Sequence, residues 1–166
     1  MTGVAAPPAA AESAGETRRM IHADALLIGA AGVLLRGPSG SGKSGLAREL
    51  IAIAERRRLF ARLIGDDRVE IENRHGRLVA RAHPAIAGAI EERGVGIVRV
   101  AHESQGVIRC VIDLKGRDDR PPQRYPDPES ASTTLCGVIL PRLRADAGES
   151  GAGRKIFSFI HDLVAF

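Results

Sequence analysis

The 166-residue chain contains no tryptophan, and aromatic residues make up only 3% of it. Surfaces that bind nucleic acids usually combine basic side chains with aromatic rings on which bases stack. Here 24 basic residues are interspersed with 20 acidic ones, for a formal net charge of +4. This composition argues against a nucleic-acid partner, because a basic rim facing an anionic ligand or an acidic protein accounts for the surplus equally well.

Long apolar runs and cysteines are also scarce. No apolar run approaches the 18 residues needed to span a bilayer, and the Ala- and Pro-rich start lacks the apolar centre of a signal peptide. Cys110 and Cys136, the two cysteines, stand in apolar, strand-like surroundings. Such surroundings are typical of reduced core thiols, with a disulfide or a reactive thiol as the alternative. We therefore predict a cytoplasmic protein with no membrane partner.

The length fits one domain with a single core. Residues 1–19 are rich in Ala, Pro, Gly and Ser and have no periodic apolar residues. This composition predicts a disordered leader before a single domain over residues 20–166.

One segment carries a specific chemical signal. Residues 37–44 read Gly-Pro-Ser-Gly-Ser-Gly-Lys-Ser, which matches the phosphate-loop pattern G-x-x-x-x-G-K-[ST] at every specified position. A short apolar strand pattern precedes it at 32–36, and helical spacing follows at 46–55. A glycine-rich turn that merely caps a helix is the alternative, but the strand, loop and helix order favours nucleotide binding.

In such a loop, backbone N–H groups and the helix N-terminus surround phosphate oxygens. Lys43 then reaches the β- and γ-phosphates and neutralises charge during transfer, and the hydroxyl of Ser44 binds Mg²⁺. The predicted nucleotide-binding residues are Gly37, Pro38, Ser39, Gly40, Ser41, Gly42, Lys43 and Ser44.

Alternating and apolar patterns predict an α/β fold with a mixed sheet. Strands are expected at 20–28, 60–65, 95–100, 107–114 and 133–143, an antiparallel hairpin at 68–81, and helices at 85–92 and 155–166. The proline-rich segment 115–130 predicts a long exposed loop, and the glycine-rich segment 145–153 predicts a flexible connection.

Several segments together resemble a known family. They are an Ile-His pair ending at His22, the Gly-Val-Leu-Leu approach to the loop, Ile-Gly-Asp-Asp-Arg-Val at 64–69, and Ile-Glu-Glu-Arg-Gly-Val-Gly-Ile-Val at 90–98. From about His22 to about Ile156 the chain resembles the C-terminal catalytic domain of bacterial HPr kinase/phosphorylase, in the short form that lacks the N-terminal domain. The resemblance implies a phosphate-loop fold of the phosphoenolpyruvate carboxykinase-like type, ATP and Mg²⁺ as cofactors, HPr as partner, and assembly into homo-hexamers.

Asp66 and Asp67 follow a predicted strand, where nucleotide-binding folds present carboxylates to bound phosphate. Adjacent strand residues point to opposite sides, so both need not face the site. The residues alone leave open which of them is catalytic, or whether they form a turn. The resemblance favours Asp67 as the base that accepts the serine proton and as the acid in the reverse reaction. Ser44 and Glu91 offer the oxygen ligands that Mg²⁺ prefers.

The resemblance also implies that His22 orients the phosphate or the catalytic aspartate, although an isolated strand histidine is often structural. Arg93 and Arg124 are candidate clamps for transition-state charge, because guanidinium presents a fixed fork of donors. Arg117 and Arg120 compete with Arg124 for that role.

The expected activity is ATP-dependent phosphorylation of a serine of HPr, together with removal of that phosphate by phosphorolysis. Two alternatives stay open. One is a small-metabolite kinase whose arginine-bearing lid is the 115–130 segment. The other is a nucleotide-binding regulatory module without transfer activity.

Overall fold

The computed structural model describes residues 17–125 and 127–164. Within these residues, nine strands form one mixed sheet and two others form a separate hairpin. The strands are β1 (Arg18–Ile21), β2 (Ala23–Ile28), β3 (Ala31–Arg36), β4 (Ala61–Gly65), β5 (Val69–Arg74), β6 (Arg77–Ala82), β7 (Ala89–Glu92), β8 (Gly96–Arg99), β9 (Gln105–Leu114), β10 (Ser132–Leu135) and β11 (Val138–Ala145). The helices are α1 (Lys43–Arg56) and α2 (Ala152–Val164).

The large sheet runs β1-β5-β6-β9-β3-β2-β4, with β11 also paired to β9 and β10 paired to β11. β3, β9 and β11 are parallel, whereas the remaining pairings are antiparallel. The predicted mixed sheet with an antiparallel hairpin is therefore confirmed. Because parallel strands end at the same edge, the glycine-rich loop after β3, the 115–130 loop and the turn after β11 lie side by side.

Each face of the sheet carries its own apolar cluster. On one face α1 buries Leu46, Leu50 and Ile53, which recur at helical spacing, against α2 and the central strands. The two helices approach so closely that a Cβ on Gly153 would overlap the carboxyl group of Glu49. Both cysteines are buried as predicted, and burial raises the pKa of the Cys110 thiol to about 12.

The predicted helix at 85–92 is wrong. A single 3₁₀ turn covers Pro84–Ile86, and 89–92 is strand β7, which pairs with β8. Ala87 ends the turn in an extended conformation, and Gly88, which precedes β7, has a φ of +71° that a helix does not accommodate. Ile90 is buried and its neighbour Glu91 is exposed, which is the alternation of a strand.

Each of the strands predicted at 20–28 and 133–143 is divided into two strands in the structure. The chain bends at His22, so 18–21 pairs with β5 while 23–28 pairs with β3 and β4. Cys136 and Gly137 both have positive φ, 48° and 76°, and form the two-residue turn of a β10–β11 hairpin.

The limits of the other segments also shift. β1 begins at Arg18, inside the predicted 1–19 leader, and the rest of the leader lies outside the described residues apart from Thr17. The 145–153 connection shortens to 146–151, because Ala145 belongs to β11 and α2 starts at Ala152. Neither α1 nor α2 is long and apolar enough to cross a membrane.

Candidate active site

The glycine-rich loop forms an open cradle at the start of α1. Gly40 and Gly42 have φ of +78° and +92°, conformations that side chains disfavour. No side chain within the described chain caps the first turn of α1, so its backbone N–H groups are available to an anion. The Lys43 side chain is buried beneath the loop, and its Nζ donates to Gly37 O at 2.9 Å and Pro38 O at 3.2 Å. This geometry suits the phosphates of a nucleotide.

The loop opens into a cavity of about 630 Å³. Three other segments contribute to its walls: the bend before β2, the end of β4, and the β7–β8 hairpin. The lining residues are His22, Ser39, Gly40, Gly42, Lys43, Ser44, Gly45, Arg48, Asp66, Asp67, Ile90, Glu91, Glu92 and Arg93. The structure thus brings together ten of the fourteen predicted site residues from four separate parts of the sequence, whereas Gly37, Pro38, Ser41 and Arg124 do not line this cavity.

Asp66 links the loop to the hairpin. It is buried, and its Oδ1 accepts a hydrogen bond from Ser44 Oγ at 2.7 Å. Its Oδ2 accepts one from the backbone N–H of Glu91 at 3.1 Å. One carboxylate therefore fixes the positions of both predicted magnesium ligands.

Asp67 has different surroundings. Its Oδ1 lies 2.5 Å from His22 Nε2, and the two side chains are 67% and 46% exposed. Its φ of +64° lies in the left-handed region, where residues other than glycine are uncommon. Asp67 is thus a carboxylate that is accessible from the cavity and oriented by a histidine.

The β7–β8 hairpin closes the opposite side of the cavity. Arg48 of α1 forms an ion pair with Glu92, and the buried Ile90 anchors the hairpin. A Cβ added to Gly40 would lie 3.7 Å from a terminal nitrogen of Arg93, so the Arg93 guanidinium stands beside the loop. Arg93 therefore lines the cavity beside the loop.

The sequence analysis missed Asp24, a fully buried carboxyl group on β2. Its Oδ1 accepts a hydrogen bond from the backbone N–H of Asp67 at 2.9 Å. Burial and then the adjacent charge of Asp66 raise the pKa of Asp24 to about 7. An acidic residue inside an otherwise apolar strand was the signal that could have identified it.

Arg124 is not brought to the cavity. It lies in the exposed 115–130 loop, with its guanidinium 5.9 Å from the ring of Tyr125. Arg120 lines a different cavity of about 710 Å³, at the ends of β9 and β11. Arg93 is therefore the predicted clamp that the structure places beside the loop.

A glycine-rich loop between a strand and a helix, facing carboxylates at the edge of a sheet, defines an α/β protein of the class that handles phosphorylated ligands. Residues 15–145 match the HPr Serine kinase C-terminal domain, and the chain belongs to this family.

Curated proteins with related sequences are consistent with this family membership. The chain is 42% identical over 76 residues to an HPr kinase/phosphorylase of Mycoplasma mycoides, covering 46% of this chain and 22% of the relative. It is 31% identical over 134 residues to an HPr kinase/phosphorylase of Lactobacillus acidophilus, covering 76% of this chain and 40% of the relative. The chain thus spans less than half the length of these curated relatives.

A solved structure shows the same fold. The HPr(Ser) kinase/phosphatase from Coxiella burnetii superimposes with a TM-score of 0.69 at 23% identity, over 87% of this chain and 95% of that one.

Proposed function

We propose that this chain is an ATP- and Mg²⁺-dependent protein kinase that phosphorylates a serine of the phosphocarrier HPr. The observation that carries the proposal is the 2.5 Å contact between His22 and Asp67 in the cavity that the glycine-rich loop opens into. A carboxylate so placed suits removal of the serine proton during transfer. The relatives are named kinase/phosphorylase. The proposal therefore includes a second reaction, in which the phosphate on the serine is transferred to inorganic phosphate to form pyrophosphate and the serine hydroxyl is regenerated.

Each residue has one task in the forward reaction. The loop amides and Lys43 bind and neutralise the nucleotide phosphates, and Arg93 holds the transferred group. Asp67 accepts the proton of the serine hydroxyl as the oxygen attacks the γ-phosphorus, and ADP leaves. His22 orients the Asp67 carboxylate through their contact.

Ser44 and Glu91 are the residues that would hold Mg²⁺. Among the described residues no three His, Cys, Asp or Glu side chains converge on a ready-made metal site. This fits Mg²⁺, which commonly binds through one or two protein oxygens together with substrate phosphates and water. When bound, the ion would neutralise phosphate charge.

The proposal extends to the wider context of the protein. The strand, loop and helix around 37–44 and the mixed sheet support a phosphate-loop fold of the phosphoenolpyruvate carboxykinase-like type. Membership of the family supports a cytoplasmic homo-oligomer, with six subunits as the specific expectation.

In the deciding experiment, the protein is incubated with Mg·ATP and HPr, and the mass of intact HPr is measured by mass spectrometry. Addition of one phosphate, mapped to a serine, is the expected result. ATP binding without any mass change in HPr would favour the regulatory module, and transfer to a small acceptor instead would favour the metabolite kinase.

Lys43→Ala should reduce turnover in both directions to less than about a tenth of wild type, because it removes a cation worth several kcal/mol to the transition state. Lys155→Ala, an exposed lysine on α2, is the matched control and should keep full activity. Circular dichroism checks that both variants fold. Residual turnover above a tenth in folded Lys43→Ala would contradict the role of Lys43.

A further inference from the structure

Asp24 is buried in the sheet, yet it contacts the site through the backbone of the predicted base. It lies on β2, and its side chain has no exposed surface. Its Oδ1 accepts the N–H of Asp67 at 2.9 Å. Its Oδ2 receives no hydrogen bond from a donor among the described residues, and the Asp24 carboxyl can hydrogen-bond to the neighbouring Asp66 carboxylate when it carries a proton. A carboxyl group buried in this way is unfavourable, so a purely structural position would be better filled by an apolar side chain.

The N–H of Asp67 needs an acceptor at this point. Asp67 follows directly after β4 and has the left-handed φ of +64°. For a residue with a side chain this conformation is strained and persists only when its surroundings fix it. Two contacts fix this turn: the backbone N–H of Arg68 donates to Asp66 O across Asp67 at 2.7 Å, and the Asp67 N–H itself donates to Asp24.

Asp24 also connects the two chain segments that carry His22 and Asp67. His22 precedes it by two residues, at the bend that leads into β2, and Asp67 follows β4, which pairs with β2. The contact between His22 Nε2 and Asp67 Oδ1 therefore spans two chain segments that Asp24 joins directly.

We infer that Asp24 is a positioning residue, which holds the Asp67 peptide in its left-handed conformation and thereby directs the Asp67 carboxylate to His22 and the cavity. The inference deepens the proposed function, since it rests on Asp67 acting as the base. Asp24 itself touches neither nucleotide nor acceptor and acts through Asp67.

Two substitutions separate this role from a general structural one. Asp24→Leu keeps roughly the same size but removes the acceptor. It should lower kcat for phosphorylation of HPr at least tenfold while the KM for ATP stays within threefold, because Lys43 keeps its hydrogen bonds to Gly37 and Pro38 in the loop. Asp24→Asn keeps the acceptor Oδ1 and should restore kcat to within threefold of wild type.

A double-mutant comparison tests the route through Asp67. In an Asp67→Asn background, Asp24→Leu should lower the residual kcat by less than threefold, because the base on which it acts is already gone. A further tenfold loss in that background would overturn the inference. A folded Asp24→Asn protein whose kcat is reduced tenfold would also overturn the inference. This second variant keeps the test valid even if Asp24→Leu does not fold.

A readout independent of activity distinguishes this inference from the proposed function. Amide hydrogen exchange of Asp67 N–H, followed by NMR, should be at least tenfold faster in Asp24→Leu than in wild type and Asp24→Asn. Unchanged exchange in Asp24→Leu would refute the positioning role even if HPr is phosphorylated. Faster exchange in a protein that phosphorylates no HPr would support the positioning of Asp67 while the proposed kinase function fails.

Discussion

At the scale of single residues, the neighbours Asp66 and Asp67 have opposite roles. Asp66 is buried and accepts hydrogen bonds from Ser44 and the Glu91 backbone, so both of its oxygens serve to position other groups. Asp67 is exposed and bound to His22. A carboxylate whose lone pairs already serve Ser44 and Glu91 is a poor proton acceptor for a substrate. The surroundings therefore favour Asp67 as the base, in line with the resemblance.

Asp67→Asn tests this division. The amide keeps the size of the carboxylate but cannot accept a proton, so phosphorylation of HPr should fall by at least about 100-fold, the usual range for loss of a general base. Affinity for Mg·ATP, measured by calorimetry, should stay within threefold. Asp118→Asn, in the exposed 115–130 loop, is the control. If the loss lies in ATP affinity, Asp67 is a binding residue and the base must be sought elsewhere.

The residues that sequence could identify are those whose chemistry is tied to a local pattern. Lys43 and Ser44 belong to a loop with fixed spacing, and the structure places both at the cavity. Asp24 could not be identified from a local pattern, because its role depends on a hydrogen bond to Asp67, which is 43 residues away in the sequence. Arg124 was chosen for the chemistry of its guanidinium group, which does not determine where a long exposed loop lies.

At the scale of elements, the β7–β8 hairpin is the least supported part of the site. Outside its own pairing it is held by the buried Ile90, by the hydrogen bond from the Glu91 N–H to Asp66, and by the ion pair of Glu92 with Arg48. Exposed ion pairs contribute roughly 0–1 kcal/mol, so Ile90 and the hydrogen bond to Asp66 are the main anchors. Because Glu91 is the neighbour of Ile90 in β7 and Arg93 directly follows that strand, the position of both depends on how well the hairpin is docked.

Ile90→Ala should therefore loosen the hairpin without unfolding the domain. Loss of a buried isoleucine costs about 2–5 kcal/mol, here taken mainly from local docking. Hydrogen exchange in residues 89–99 should become faster while β3 and β9 stay protected, and kcat should fall several-fold. Ile97→Ala is the matched control, since Ile97 lies in the same hairpin but is 76% exposed, against 1% for Ile90. Equal effects of the two substitutions would contradict this account.

The elements show where apolar patterns suffice and where they do not. The helix after the loop and the hairpin at 68–81 were predictable, because each has a clear period and a clear end. The helix predicted at 85–92 and the single strand predicted at 133–143 failed at Gly88 and at Cys136-Gly137. At both places a positive φ interrupts the regular backbone, and the preferences of cysteine do not predict such a conformation at Cys136.

At the scale of the whole molecule, stability and function compete on strand β2, which lies beside the edge strand β4 of the sheet. The same β2 that packs Leu26 and Ile28 into the apolar core also carries the buried Asp24. Folding must remove this carboxyl group from water and bring it close to the charge of Asp66. Both effects oppose its ionisation in the folded state.

This conflict predicts a specific pH dependence of the free energy of unfolding. The pKa of Asp24 rises from an ordinary 3.8 to about 7 on folding. Between these values the folded protein retains a proton that the unfolded chain has lost, so this group lowers stability progressively as pH rises, and the full penalty is present above about pH 7. At about 1.4 kcal/mol per pH unit, the full penalty is of the order of 4 kcal/mol.

Asp24→Asn removes this titration while retaining the hydrogen bond to Asp67. Its stability relative to wild type, measured by urea unfolding, should therefore increase by about 2–3 kcal/mol between pH 5 and pH 8, the part of the penalty that falls within that range. Asp24→Leu removes the same titration together with the acceptor. Its stability relative to wild type should show the same increase between pH 5 and pH 8. That stability should also be lowered by a constant amount, because the Asp67 N–H is left unpaired at every pH. If the difference between wild type and Asp24→Asn stays constant from pH 5 to pH 8, Asp24 ionises as freely in the folded sheet as in the unfolded chain.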